Sequence, residues 1–357
     1  MPSKPAGAPT RTLFASHRRR KTALGALTAV ALASGAVPAH AVAINYSFQD
    51  IVNAADPTFN QELGINSAGT IAGYFGSGMA GHPNQGYTTV PPYTSFTPEN
   101  FPGSVQTQVT GLNNSGTTVG FWSDSNNVSM VNNNFGFVDI ANTFTSVNNT
   151  ATGTGPAINQ LLGVNNSNIA VGFYTDAAGV THGYTYNIAT KTFSADINDP
   201  NAGKTMGQGT TATAINNIGS GEIAGFYVDA AGVTHGFDDI GGVFTTIDPT
   251  GSTSTMLLGI NDNGLAVGTY IDSLGVMHGL LYDVNNNTFE NIDDPFGIGT
   301  TTINGINDRD QLVGFYVNGG DNTIGLLANP VPEPASLALL ATGLFGIGVA
   351  RRRRKAA

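Results

Sequence analysis

The 357-residue chain contains no cysteine and one tryptophan, and only 11% of its residues are charged, compared with about 25% in an average soluble protein. Without cysteine the chain cannot form a disulfide, a Cys-ligated zinc or iron–sulfur site, or a cysteine nucleophile. Its 47 glycines, with many asparagines and threonines, are poor helix formers. These features exclude disulfide-stapled scaffolds and disfavour helix-rich enzymes.

Basic residues are almost missing from the middle of the chain. Only Lys191, Lys204 and Arg309 lie between residues 42 and 334, where all 24 acidic residues are found, so this segment has a formal charge of −21. Binding to a nucleic-acid backbone needs clustered lysine and arginine. We therefore expect no nucleic-acid partner, whereas cations and neutral glycans remain compatible with this charge.

Residues 1–41 have the features of a secretory signal peptide. A basic cluster at residues 18–21 precedes an apolar run from about residue 23 to 37. Ala39 and Ala41 then form the small-x-small cleavage site of a signal peptidase. The sequence predicts export, and it leaves the export route open because the arginine pair fits a twin-arginine signal poorly.

Residues 330–357 form a second signal with three parts. These are the motif Pro332-Glu333-Pro334, an apolar span of 16 residues from Ala335 to Ala350, and the basic cluster Arg351, Arg352, Arg353, Arg354 and Lys355. The span is shorter than the roughly 20 residues that cross a bilayer comfortably, but a basic cluster can hold its end on the cytoplasmic side. We predict a short C-terminal transmembrane helix with the arginines as its stop signal.

This tail resembles the PEP-CTERM sorting tail of Gram-negative bacteria, since motif, apolar span and arginine cluster occur in the same order. The resemblance implies that an exosortase-like processing enzyme recognises the motif and releases the protein toward the surface or its exopolysaccharide. A permanent single-span anchor in the inner membrane is the alternative, because it uses the same residues and differs only in whether the tail is cut.

The segment 42–329 is a sixfold repeat. Its heads are Gly64-Ile65-Asn66, Gly111-Leu112-Asn113, Gly163-Val164-Asn165, Ala214-Ile215-Asn216, Gly259-Ile260-Asn261 and Gly305-Ile306-Asn307. A second glycine follows each head, and the distance from one such glycine to the next is 43 to 53 residues. In several repeats it is followed by a pair of large residues and then by the motifs Asp-x-x-Gly, His-Gly and Phe-x-x-Ile. These units resemble the HAF-type extracellular repeat, with glycine in the usual alanine position of His-Ala-Phe.

The sequence pattern of each repeat predicts four short antiparallel strands separated by tight turns. Asn-x-x-Gly turns follow the heads, and Asn168 and Asp310 replace the glycine in two of them, which suits a left-handed backbone. Neighbouring residues of a strand point to opposite faces, so Phe226 and Tyr227 place large rings on both. Because both faces must then be covered, we expect the blades of a propeller.

The order of the pieces predicts how the ring closes. The first five heads are followed by a tail of the Phe-x-x-Ile type, the sixth is not, and an orphan tail lies at Phe48–Ile51. We therefore predict an all-β fold, a six-bladed β-propeller of four-stranded antiparallel blades that is closed by the N-terminal strand. An open β-solenoid is the alternative.

Histidines recur in the repeats, but their spacing argues against one metal site. His182, His235 and His278 occupy the same position of three successive repeats and so lie about one blade apart, whereas zinc ligands must meet within about 2 Å of one ion. We predict that each bonds a neighbouring turn, and that Trp122, at a tyrosine position of the repeat, packs in the core.

Four aspartates precede proline at predicted strand ends, namely Asp56, Asp199, Asp248 and Asp294. We predict that they cap turns; Ca²⁺ bound with backbone oxygens is the alternative, although no known Ca²⁺-loop spacing is present. We predict no other cofactor, no metal site and no catalytic residues, because nucleophile-elbow, phosphate-loop and zinc-protease motifs are absent from the sequence.

The sequence therefore indicates a non-catalytic protein of the cell surface or extracellular matrix. It is exported, anchored in the inner membrane transiently or permanently by its tail, and predicted to bind exopolysaccharide or surface proteins through propeller loops. A polysaccharide-acting propeller enzyme and a calcium-dependent adhesive module are the alternatives. The ligand, the oligomeric state and cleavage of the tail are left open by the sequence.

Overall fold

The computed structural model describes residues 44–124, 133–149, 151 and 158–331. The regular secondary structure of these residues consists of β-strands, as the sequence predicts. No helix in the described part of the chain is long and apolar enough to span a membrane. The predicted signal peptide and the predicted transmembrane helix of the tail lie outside the described residues.

The strands follow the repeats, and a four-stranded set is called a unit. The first three units are β2 (Asn60–Ile65), β3 (Ile71–Phe75), β4 (Gln85–Thr89), β5 (Phe96–Pro98); β6 (Gln106–Leu112), β7 (Thr118–Ser123), β8 (Phe135–Ile140), β9 (Thr143–Val147); and β10 (Asn159–Val164), β11 (Ile169–Thr175), β12 (Thr181–Asn187), β13 (Thr192–Phe193). The last three are β14 (Gly209–Ile215), β15 (Ile223–Val228), β16 (Thr234–Ile240), β17 (Val243–Ile247); β18 (Ser254–Ile260), β19 (Leu265–Ile271), β20 (Met277–Asp283), β21 (Thr288–Asn291); and β22 (Thr302–Ile306), β23 (Leu312–Val317), β24 (Thr323–Pro330), β1 (Tyr46–Ile51).

The units form an all-β propeller. Four of them are separate four-stranded sheets, while the third and fourth share one eight-stranded sheet. The third and fourth units are joined into this sheet by one parallel residue pair between β12 and β14, Thr181 with Gly209. The first strands of successive units contact one another, and β22 of the sixth unit contacts β2 of the first. The units therefore follow one another around a closed ring.

The N-terminal strand completes the sixth unit, as predicted. β1 pairs antiparallel with β24 from Tyr46 opposite Pro330 to Ile51 opposite Gly325, so the sheet order is β1-β24-β23-β22. Ile51 is buried in the core cluster that joins the sixth unit to the first. The two ends of the propeller segment are thereby paired within one unit, and β24 has no free edge.

Glycines of the repeat heads allow the first strands to meet at the axis. A β-carbon on Gly64 would lie 3.1 Å from the Gly111 α-carbon, and one on Gly305 would lie 3.2 Å from the Gly64 α-carbon. The register of each first strand also shifts just before this position, as it does between Glu62 and Gly64. The fourth head carries Ala214 at this position, so one methyl group fits there.

The core lies between neighbouring units. Val138 of the second unit, for example, packs with Leu161 and Tyr184 of the third in one buried cluster. The predicted covering of both faces is confirmed in outline, since Tyr227 is buried and Phe226 is half-buried.

The predictions for Trp122 and for the turns are also confirmed. Trp122 stacks on Phe101 with ring centroids 4.3 Å apart and packs beside a buried cluster. Asn168 and Asp310 adopt φ values of 57° and 58°, within the left-handed region that their turns require.

Candidate functional site

The two ends of each unit differ in what connects the strands. Because consecutive strands are antiparallel, the turns from first to second strand lie at one end of every unit, here called the turn face. The turns from second to third strand and the connections between units lie at the opposite end, here called the loop face. The candidate site lies on the loop face.

On the turn face, the asparagine of each repeat head bonds the next unit. The side-chain Nδ2 atoms donate to backbone oxygens as follows: Asn66 to Asn113 (3.2 Å), Asn113 to Asn165 (3.1 Å), Asn165 to Asn216 (3.2 Å), Asn216 to Asn261 (3.3 Å), Asn261 to Asn307 (3.1 Å) and Asn307 to Asn66 (2.9 Å). The six bonds form a closed ring around the axis, here called the asparagine ring.

The asparagine ring also holds its own turns. In the third unit, Asn165 Oδ1 accepts the backbone N–H groups of Ser167 and Ile169, each at 3.0 Å. Each of the six asparagines is buried, and the axial cavity that they line measures only about 70 Å³. The asparagine ring therefore joins neighbouring units, and its amide groups bond other groups of the protein itself.

On the loop face, three units carry the same histidine cluster. His182, His235 and His278 stack on Tyr174, Tyr227 and Tyr270 with ring centroids 5.0 to 5.1 Å apart. His235 Nδ1 donates to Asp248 Oδ2 at 2.7 Å, and His278 Nδ1 donates to Asp293 Oδ2 at 2.8 Å. In the third unit His182 Nδ1 lies 3.0 Å from Asn198 Oδ1.

The second ring nitrogen of each histidine faces the turn between the second and third strands. His182 Nε2 lies 3.3 Å from Asp176 Oδ2. The same carboxylate accepts the backbone N–H of Val180 at 2.9 Å, and this bond, with help from His182, holds the pKa of Asp176 below its usual value. Each histidine thus bonds turns of its own unit, as predicted. Within the described residues, no three histidine, aspartate or glutamate side chains are arranged to hold a metal ion.

The predicted capping by aspartate is confirmed at three of the four positions. Asp56 accepts the backbone N–H of Thr58 at 3.1 Å, and Asp199 accepts that of Asn201 at 2.8 Å. Asp294 accepts the N–H of Phe296 at 2.8 Å. The fourth differs, because the Asp248 carboxylate accepts the bond from His235 described above.

The third unit has a cavity of about 460 Å³ on the loop face. β13 contains only two residues, and the connection that follows it, residues 194–208, folds back on the unit. Gly207 N donates to Gly179 O at 2.9 Å, and Gly203 N donates to Val228 O of the fourth unit at 2.9 Å. Residues 194–197 still bond β12, since Ile197 N donates to Gly183 O at 2.7 Å, and the rest of the connection borders the cavity. The lining residues are Asp176, Ala178, Val180, His182, Asn198, Asp199, Pro200, Ala202, Gly203, Lys204 and Gly209.

Asp199 is the buried polar group of this cavity. The residue is 3% exposed, its backbone N–H donates to Thr210 Oγ1 at 2.9 Å, and one carboxylate oxygen caps the turn. The other oxygen, Oδ2, is buried without a hydrogen-bond partner. A buried carboxylate oxygen without a hydrogen-bond partner lowers the stability of the folded protein.

A second buried carboxyl lies where the first and last units meet. Glu62 is fully buried, accepts the Tyr87 hydroxyl at 2.6 Å, and would touch a β-carbon on Gly325 of β24. Burial raises the pKa of Glu62 to about 8 although the Tyr87 bond opposes the shift. The five equivalent residues are the buried apolar side chains Val109, Leu161, Ala212, Leu257 and Ile303.

The cavity and Glu62 were not found by sequence reasoning. The length of the connection after Phe193 was a signal for the cavity, since Phe193 and Ile197 stand one residue further apart than in the other tails. The sorting residues Pro332, Glu333 and Pro334, the cleavage residues Ala39 and Ala41, and Arg351 to Arg354 lie outside the described residues.

Residues 330–355 match the family model of the PEP-CTERM protein-sorting motif. The match confirms the predicted sorting motif, which indicates export and sorting to the surface. The resemblance of the repeats to the HAF type stays a prediction. No curated protein matches the chain.

Several solved structures are similar to the propeller. A fungal lectin of Aleuria aurantia, described as a six-bladed β-propeller with a fucose recognition mode, is 12% identical over 80% of this chain and 99% of its own, with a TM-score of 0.47. TolB from Acinetobacter baumannii is 8% identical over 77% of this chain and 66% of its own, with a TM-score of 0.44. A polysaccharide lyase of the ulvan lyase family PL25 is 12% identical over 76% of this chain and 78% of its own, with a TM-score of 0.41.

Proposed function

We propose that the chain is a non-catalytic protein of the cell surface or extracellular matrix that binds a glycan in the cavity of the third unit. Signal peptidase would remove residues 1–41, and an exosortase-like enzyme would act at Pro332-Glu333-Pro334. The single observation that carries the binding function is the cavity of about 460 Å³ on the loop face.

The cavity has the size and the lining of a small-ligand site. Its volume falls within the range of about 300 to 1,000 Å³ usual for such sites. Asp176 and Asn198 contribute planar oxygen groups that suit sugar hydroxyls, while Val180 and Ala202 contribute apolar surface that suits the C–H face of a sugar ring. Oriented polar groups on an apolar lining are what specific binding of a sugar requires.

The surroundings of His182 favour binding over catalysis. Both of its ring nitrogens face side chains of its own unit, Asn198 at 3.0 Å and Asp176 at 3.3 Å. A histidine that moves protons to a substrate needs one nitrogen directed at the reacting atom. The presence of His182 and two carboxylates in one cavity is nevertheless the observation that favours a polysaccharide-acting enzyme as the second candidate.

Calorimetric titration of the secreted protein with fragments of the host's own exopolysaccharide tests the binding function. We expect Ala178→Trp, which places a bulky ring in the cavity, to abolish binding. Ala231→Trp is the matched control, because Ala178 and Ala231 hold the same position of the second-to-third-strand turn and each N–H bonds the turn aspartate at 2.8 Å.

Binding that survives Ala178→Trp, or no binding by the unmodified protein, would overturn this assignment. Analysis of the same mixtures for new chain ends or shortened products distinguishes the enzyme. Products that form with the unmodified protein and vanish in Ala178→Trp would establish the second candidate instead.

The mass of the mature protein tests the processing. We expect the secreted form to start near residue 42 and to lack the arginine cluster at residues 351–354. A strain without its exosortase should retain the uncut tail in the membrane. A secreted form that keeps the arginine cluster contradicts cleavage.

A further inference from the structure

We propose that the turn face is the surface that meets the lipid headgroup layer while the C-terminal tail is anchored, so that the loop face and its cavity point away from the membrane. The proposal rests on the membrane anchoring that the proposed function assigns to the uncut tail, and it adds which side of the propeller the membrane covers. Three observations carry it: the place where the chain leaves the propeller, the apolar tips of the turn face, and the distribution of charge between the two faces.

Both ends of the propeller segment lie on the turn face. A third strand runs from the loop face to the turn face, so β24 reaches the turn face at Pro330, its last residue. β1 pairs antiparallel with β24 and starts at the same end with Tyr46. Val331 N still donates to Asn45 O at 2.7 Å, so the propeller holds the chain up to Val331.

The tether between the propeller and the predicted apolar span is shorter than the propeller is tall. Only residues 332–334 separate Val331 from Ala335, where the span begins, and this stretch covers at most about 14 Å when fully extended. The eight residues of β24 rise about 23 Å from one face to the other. A propeller placed on the bilayer by its loop face would hold Val331 higher above the lipid than the tether can reach.

The outer turns of the turn face, those from third to fourth strand, carry apolar tips. Val90, Ile140, Ile240 and Val243 stand at these tips and are exposed, Val243 by 69%. Lys191 is the one charged residue in the five turns of this kind, all of which lie within the described part of the chain. Such tips can enter the headgroup layer without the free-energy cost of taking a charge out of water.

Charge differs between the two faces in the same sense. The segments that join strands on the turn face contain four acidic and two basic residues, which are Glu222, Asp262, Asp308, Asp310, Lys191 and Arg309. Those on the loop face contain twelve acidic residues, five in the second-to-third-strand turns and seven in the connections between units, and one basic residue, Lys204. A surface that carries anionic lipids therefore repels the loop face more strongly than the turn face.

The loop face also has exposed apolar residues, but aspartates accompany them. Leu274 lies in the turn that begins at Asp272, and Phe296 follows Asp293 and Asp294. Contact of these apolar residues with lipid would bring the neighbouring carboxylates against the headgroups, which costs free energy. The turns with Val90, Ile140 and Val243 carry no such charge.

The chain has no cysteine, so one introduced cysteine per variant can carry a fluorescent label. The full chain with its uncut tail is reconstituted in vesicles of phosphatidylcholine and phosphatidylglycerol that contain a headgroup-linked quencher. Ile140→Cys and Val243→Cys place the label on the turn face of the second and fourth units. Val233→Cys is the matched control, because Val233 is a valine of the same fourth unit that is 37% exposed on the loop face.

We expect the quencher to remove most of the fluorescence from Ile140→Cys and Val243→Cys and to leave Val233→Cys unchanged. The second and fourth units each lie two places from the sixth around the ring, so a propeller lying on the outer strand of the sixth unit would leave all three labels unquenched. That result, or quenching of Val233→Cys, overturns the proposal. Thermal melting of the three variants establishes that each still folds.

Two further measurements separate this proposal from the proposed function. Flotation of the vesicles tests the anchoring, and protein that does not float with the lipid removes the basis of the proposal. Fragments of the host exopolysaccharide should bind the anchored protein as tightly as the tail-free protein, because the cavity points away from the lipid; weaker binding after anchoring contradicts this orientation. If the turn-face labels are quenched and no fragment binds either form, glycan binding fails and the orientation stands.

Discussion

The turn face and the loop face are built from the same six repeats, yet they differ in how uniform they are. On the turn face all six units make the same bond, because the asparagine ring requires every member. On the loop face three units share a histidine cluster, and the third has a cavity of about 460 Å³. In this protein, uniform positions hold the ring together and the departures from the repeat create the candidate site.

The difference has a physical cause. The first strands converge at the axis, where a residue of one unit touches its counterpart in the next, so each position is constrained by its neighbour. The connections between units lie on the loop face, where loops of different length can be accommodated at small cost. The four predictions below test this contrast.

The largest effect is expected from deletion of residues 43–52, which removes β1 from the sixth unit. The backbone groups of β24 and buried side chains such as Ile324 would lose their cover. We expect the single cooperative melting transition, measured by circular dichroism or calorimetry, to be lost. Removal of residues 332–357 is the control, because β24 ends at Pro330. An unchanged transition after the deletion would show that β1 does not close the ring.

The next effect concerns the asparagine ring. Asn165→Ala removes the bond to Asn216 O and leaves the N–H groups of the exposed Ser167 and the half-buried Ile169 without their side-chain acceptor. We expect the free energy of unfolding, measured with urea, to fall by roughly 2 to 4 kcal/mol. Asn166→Ala is the matched control, since this neighbour is exposed and its amide oxygen accepts a single N–H, that of Asn114. Equal losses in both variants would contradict a special role of the ring.

A smaller effect, which depends on pH, is expected at Glu62. Its folded pKa of about 8 lies above the ordinary value of 4.5, so the folded protein keeps the proton that the unfolded chain releases. Its contribution to stability is complete below pH 4.5 and is lost as the pH rises to about 8, with a slope of about 1.4 kcal/mol per pH unit at most.

Glu62→Gln should remove this slope and make the variant more stable than the unmodified protein at pH 8. Urea unfolding at several pH values between 5 and 8 measures the effect. Glu290→Gln, at a half-buried glutamate of the fifth unit, is the control. A slope that persists in Glu62→Gln would place its origin in other groups.

The smallest effect is expected on the loop face. His235→Ala removes the contacts with Asp248 and Asp229, which are partly exposed and therefore weak. We expect a loss of less than about 1 kcal/mol in the free energy of unfolding. A loss as large as that of Asn165→Ala would remove the contrast between the two faces.

Much of the fold could be predicted because the evidence for it lies close together along the chain. The turn at Asn66 needs only its own oxygen and a glycine three residues later, and the backbone of Gly69 has a φ of 85°. The closure by β1 could be inferred from an orphan tail, Phe48–Ile51, that had no head of its own. In both cases the repeat supplied six examples of one local rule.

The candidate site could not be predicted in the same way. The extra residue between Phe193 and Ile197 marks this connection as irregular, but the cavity depends on bonds from residues 194–208 to Gly179 and Val228 in two different units, which the spacing does not give. Glu62 was missed because a glutamate in a strand usually faces water. Its burial follows from the approach of Gly325, more than 260 residues away along the chain.

The sequence by itself determined the repeat, the turn chemistry, the closing strand and the sorting motif, because these depend on local backbone preferences and on order along the chain. Tertiary structure alone decided that six asparagines form a closed ring, that Glu62 is buried between the first and last units, and that the third unit has a cavity on the loop face. The physical reason is that burial and hydrogen-bond pairing are set by residues brought together from different units, whereas turns and strand patterns are set by immediate neighbours.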